Sequence, residues 1–154
     1  MTCQPITLVL LALVFAAPAV AQTSRSPVGS WTFTTAATDK GCALSGDMVV
    51  MTGKDKRFPC TFKVVETCSE RLPRAIHTEQ SCTIIQTDAK VAVTSKVEKV
   101  VSVDPLTMME EEVSGYLPDN FKLTINPHGD MMTGAYSSHR TAVAVFRRRQ
   151  ELVS

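Results

Sequence analysis

The residues of this chain that could do chemistry are five cysteines, three histidines, one tryptophan and a cluster of arginines near the C-terminus. The histidines, His77, His128 and His139, are not spaced as metal pairs. Each lies in a polar, turn-like stretch and reads as a solvated loop residue. There is no Gly-x-Ser-x-Gly elbow to present a nucleophile and no glycine-rich loop to cradle a phosphate. The cysteines at 42, 60, 68 and 82 contain no C-x-x-C pair and do not match a zinc spacing. The sequence therefore points to no catalytic residue, no cofactor and no metal, and the expectation is a protein that is not an enzyme.

The cysteines have a different use. Cys3 precedes an apolar run, and four cysteines follow it, an even number that reads as two disulfides in an exported small domain. Three pairings are open. Cys60 and Cys68 bracket Thr61–Thr67, which alternates like one strand, and an extended strand of that length spans about 26 Å, far beyond the roughly 7 Å reach of a disulfide. In antiparallel hairpins, pairing Cys42 with Cys68 centres the turn at residue 55, within the polar Gly53-Lys54-Asp55-Lys56-Arg57. Pairing Cys60 with Cys82 centres it near residue 71, in Ser69-Glu70-Arg71-Leu72-Pro73. The rival Cys42–Cys60 puts the turn inside Met48-Val49-Val50-Met51, which looks like strand. Cys42–Cys68 with Cys60–Cys82 is the preferred set.

Export is read from the N-terminus. No charged side chain occurs before Arg25, and Leu8–Ala17 is an unbroken apolar run. Pro18 and the small residues of Ala19-Val20-Ala21 follow, the pattern of a secretory signal cut after Ala21. The run is too short and too interrupted for a membrane span. The expected organisation is a signal peptide at 1–21 and one domain at 22–154, periplasmic or secreted, with no stable membrane span after cleavage. The 154 residues carry 16 Lys plus Arg against 15 Asp plus Glu, a net charge of +1. That balance excludes a strongly basic nucleic-acid binder, so no nucleic-acid partner is expected.

The elements that must position these residues are strands. Short β-branched or alternating runs occur at 30–35, 47–52, 61–67, 81–87, 90–103, 120–125, 131–136 and 141–148. In the longest, Val91, Val93, Val97, Val101 and Val103 share one parity. Asp104-Pro105 suits a helix N-cap followed by proline at the first helical position, so residues 105–113 form a short helix or an ordered loop. Glu110, Glu111 and Glu112 would fall late in that helix, where its dipole disfavours them. Eight strands with short connections predict an all-β, antiparallel up-and-down barrel, since closure removes exposed edges.

Val28-Gly29-Ser30-Trp31 places Gly-x-Trp on the first strand, which resembles the signature of calycins: lipocalins, avidin-like proteins and some bacterial inhibitors. The resemblance implies that Trp31 closes one barrel end and stacks against a basic residue of the last strand, where Arg147, Arg148 and Arg149 follow Thr141–Phe146. A narrower resemblance, over residues 28–68, is to bacterial periplasmic inhibitors of serralysin-type metalloproteases. Those carry Gly-x-Trp, then a cysteine opening strand two bridged to one closing strand three, as Gly29, Trp31, Cys42 and Cys68 are ordered here. In that family the segment before Gly-x-Trp enters the protease cleft, whereas Gln22–Val28 is short for such a role.

The leading functional expectation is an exported, non-catalytic binding protein holding a small apolar ligand in the barrel mouth, with Trp31, Tyr116 and Arg147 as candidate contacts. The alternatives are a periplasmic or secreted protease inhibitor, and an envelope protein with a filled core and a protein partner. Met48, Met51, Met108, Met109, Met131 and Met132 are adaptable side chains suited to filling a small core or to a binding surface.

Overall fold

A computed structural model describes residues 25–69, 73–108, 114–138 and 140–150. The expected signal peptide, the glutamates at 110–112, Met109 and His139 lie outside the described residues. The described residues form eight strands: β1 (Gly29–Thr35), β2 (Cys42–Val50), β3 (Arg57–Cys68), β4 (Arg74–Thr87), β5 (Lys90–Asp104), β6 (Phe121–Ile125), β7 (Met131–Ser137) and β8 (Thr141–Arg148). Each pairs antiparallel with the next, and β8 pairs with β1, so the sheet is a closed barrel in sequence order. No helix among the described residues is long and apolar enough to cross a membrane.

Alternation fixes what faces inward. β3 buries Cys60, Phe62, Val64, Glu66 and Cys68, and β6 buries Phe121, Leu123 and Ile125. The β2–β3 register sets Cys42 opposite Cys68, and the β3–β4 register sets Cys60 opposite Cys82. Both pairs are disulfide-bonded. The pairing is the one that hairpin geometry predicts, and both bridges point into the barrel and join neighbouring strands through β3. Disulfides of this kind persist in oxidising compartments. The β2–β3 hairpin turns at Asp55-Lys56, both with positive φ, and Arg57 N donates to Lys54 O at 2.9 Å. That backbone matches the primed turns that follow strand twist.

Two expectations change. The valines of β5 do not share one face, because register shifts against β4 fall between His77 and Thr78 and between Glu79 and Gln80. Each shift adds a β5 residue with no partner and flips the alternation. Val91, Val93 and Val97 precede the shifts on one face, whereas beyond them Val101 is 43 % exposed and Val103 is buried again. The helix reduces, among the described residues of its span, to one 3-10 turn at Leu106–Met108. Asp104 is still strand, paired with Ala75.

Candidate functional site

The two barrel ends are built differently. At the end where β1 begins, Trp31 is fully buried and its indole N–H donates to Pro27 O at 2.8 Å. The Arg148 guanidinium lies over the ring, 4.4 Å from its centroid. Its nitrogens donate to the carbonyls of Gly129, Val28 and Ser26. A planar fork with five donors can do this while stacking; an ammonium cannot. Gly29 makes the approach possible: its φ is +128°, and a Cβ there would stand 2.6 Å from Arg148 Nη1. Burial pulls the Arg148 pKa below its ordinary value, opposed by the charge of Asp130. Gly29, Trp31 and Arg148 thus form one seal, drawing Ser26–Val28 across this end.

Above the seal the interior is filled by aromatic rings. Phe33 stacks on Phe146 at 4.8 Å between centroids and meets Phe62 and Phe121 edge-on at 5.5 and 5.6 Å. Phe33 lies against Gly46, where a Cβ would stand 3.1 Å from the ring and 1.9 Å from Lys63 O. Met48, Met132, Ile84, Val91 and Val93 complete the packing. At this density a missing methyl group is felt, and a ligand has no place in the middle of the barrel.

The opposite end is polar inside. Gln80 on β4, Ser95 on β5, and Asp119 and Tyr116 on the chain entering β6 form one network. Gln80 Nε2 donates to Asp119 Oδ2 at 2.5 Å and to Thr78 Oγ1 at 3.0 Å. Gln80 Oε1 accepts from Ser95 Oγ at 2.8 Å and from Asp119 N at 3.1 Å. Ser95 Oγ also lies 2.7 Å from Asp119 O, and Ser138 Oγ donates to Pro118 O. The Tyr116 hydroxyl donates to Asp119 Oδ2 at 3.0 Å, and Tyr136 faces the same carboxyl group. Asp119 is 0 % exposed, yet its Oδ1 has no hydrogen-bond partner among the described residues. Burial pushes the Asp119 pKa above the usual carboxylate range, against the hydrogen bonds from Gln80, Tyr116 and Tyr136. Burial likewise raises both tyrosines, reinforced by Asp119, so they remain protonated donors.

Around this network the inward side chains of the mouth are Leu44, Ile76, Val103, Tyr136 and Ala142, all buried. The buried Glu66 lies 3.8 Å from Arg74 Nη2, and Arg140 Nη1 lies 3.8 Å from Cys42 Sγ. The ligating atoms of Cys42, Glu66 and Cys68 fall within 4.8 Å of one another. The two sulfurs are joined to each other, which leaves no thiolate pair for a metal.

The three sequence candidates are not brought together. Trp31 belongs to the sealed end, and Tyr116 lies half-buried at the mouth. Arg147 faces outward, 3.8 Å from Met131 Sδ, beside a surface cleft of about 760 Å³ that Asn126, Asp130 and Arg149 also line. Arg149 is committed to Asp47 at 2.5 Å. His77 and His128 are exposed. Of the methionines, Met48 and Met132 are core, Met51 is exposed, and Met131 is half-buried. Sequence reasoning missed Asp119, Gln80, Ser95 and Tyr136. The available signal was polar residues at inward parity, with Thr78 and Gln80 following Ile76.

No family model matches the chain, and no curated protein matches it. Solved structures do. A redesigned β-barrel, mFAP1, bound to DFHBI, matches with a TM-score of 0.52 and 12 % identity, over 84 % of this chain and 100 % of that one. A de novo designed fluorescence-activating β-barrel matches with a TM-score of 0.51 and 14 % identity, over 85 % of this chain and 100 % of that one. At these identities the likeness is one of fold: a small, closed, antiparallel β-barrel.

Proposed function

We propose that this is an exported, non-catalytic binding protein that holds a small, largely apolar molecule at the mouth, the barrel end opposite Trp31. The observation that carries the reading is Asp119 Oδ1, a buried polar atom without a partner among the described residues, at the end opposite the Trp31 seal. An unmet buried acceptor costs on the order of 1–3 kcal/mol, which a ligand donor would recover. Leu44, Ile76, Val103 and Ala142 supply an apolar wall around it. An eight-strand barrel is just wide enough for side chains to fill or for one small ligand, and the mFAP1 barrel of like fold is bound to DFHBI. Two disulfides suit a periplasmic or secreted location. The protease-inhibitor alternative gains nothing here. Ser26–Val28, which would have to project, is held down by Arg148, and Gln86 Nε2 holds Arg25 O at 2.7 Å.

The test is titration with an environment-sensitive apolar dye. Fluorescence should rise with the wild type and saturate at one dye per chain. Ala142→Trp, which fills the mouth, should abolish the rise, and Arg147→Glu, at the other end, should leave it unchanged. A signal lost with Arg147→Glu and kept with Ala142→Trp would place binding at the surface cleft and overturn the proposal.

A further inference from the structure

We infer that the polar head of the ligand is a protonated amine, whose N–H donates to Asp119 Oδ1 while its hydrocarbon body lies against the mouth's apolar wall. This rests on the binding reading above and adds the charge of what binds. Asp119 is fully buried, and the donors that meet its carboxyl group are neutral: Gln80 and Tyr116 on Oδ2, with the Tyr136 hydroxyl beside them. The charged groups of the surrounding elements do not compensate it. Glu66, from β3, is a second carboxylate. Arg74, from β4, lies 3.8 Å from Glu66, and Arg140, ahead of β8, reaches the Cys42 sulfur. Tyr136 on β7 and Tyr116 bring hydroxyls, and Ser95 on β5 brings another. Among the described residues no Lys, Arg or His forms an ion pair with Asp119.

A buried carboxylate with no counter-charge keeps its proton or acquires a cation. An alkylammonium ion supplies both things Asp119 lacks among the described residues, a donor for Oδ1 and an opposite charge. An alcohol supplies the donor alone. A fatty carboxylate brings no donor for Oδ1 and carries an anion to an end that already holds Glu66. The exchange balances in protons: below the raised titration of Asp119 its carboxyl gives up a proton to solvent as the carboxylate–ammonium pair forms, and above it the pair forms with no proton exchanged.

The experiment is calorimetric titration of the full mature chain with octylammonium, octanol and octanoate. Octylammonium should bind at least about tenfold tighter than octanol, with octanoate weakest, and below the raised Asp119 titration its binding should release a proton when buffers of different ionisation enthalpy are compared. Asp119→Asn should bring octylammonium down to the level of octanol. Wild-type affinity for octylammonium should rise with pH until Asp119 is ionised, a readout that needs no variant to fold. Equal affinities for octylammonium and octanol, or a flat pH profile, would remove the amine and leave the mouth reading standing. Failure of all three probes to bind would remove both.

Discussion

Arg148 and Asp119 are both drawn into the barrel's ends, and the surroundings treat them in opposite ways. Arg148 has a carbonyl for each of its three nitrogens and a ring beneath it. Arg148→Lys is expected to lower stability by about 2 kcal/mol, because one ammonium cannot replace the fork and leaves carbonyls unmet. Arg147→Lys, on the outer face, should change nothing measurable. Urea melts of the two variants check this, and equal losses would refute the seal. Asp119 has acceptor capacity to spare, and its carboxyl is pushed up from the ordinary value near 3.9 by burial. Between the unfolded and folded values the native state holds a proton that the unfolded chain has lost. Stability should therefore fall as pH rises from about 4 through the folded value. Asp119→Asn should flatten that slope, and a wild type whose stability rises with pH where Asp119→Asn is flat would contradict it.

At the scale of elements, alternation made the strands near Trp31 legible. β8 runs over the residues expected, and β1, β6 and β7 differ by one residue at an end. The mouth was not legible in the same way. The first half of β4, Arg74–Gln80, gives no strand signal, because its inward positions carry Thr78 and Gln80 and the apolar alternation vanishes there. The first half of β2, Cys42–Gly46, is hidden for a related reason: one of its inward positions is a glycine, left bare for the Phe33 ring. The β5 shifts were invisible because an extra residue has no signature of its own type. Polar inward residues hid the candidate site from pattern reading, and the same residues give it its chemistry. The cysteines were legible because hairpin arithmetic depends only on position. Replacing Cys42 and Cys68 together by alanine should cost about 3 kcal/mol from loop closure. Because that bridge lies at the mouth, dye affinity should fall further than in the paired alanine variant of Cys60 and Cys82. Parallel urea and dye titrations of the two variants decide it, and equal dye affinities would detach the mouth bridge from binding.

For the whole molecule, Gly-x-Trp and the arginines after it foretold the closed end, and the meander foretold the closed barrel. Function was less legible, since eight strands of this length suit a filled core and a ligand barrel alike. The structure divides that choice along the barrel axis, with rings filling the middle and an incompletely paired carboxyl group at one end. The most direct measurement is the mass of the protein recovered from a bacterial host that exports it, taken native and then denatured. The denatured mass should correspond to a chain that begins after Ala21 and lacks about four hydrogens for two disulfides, and the native mass should be greater by one small molecule. Equal native and denatured masses, unchanged after incubation with the host's small-molecule extract, would contradict the proposed binding and favour a filled barrel with a protein partner.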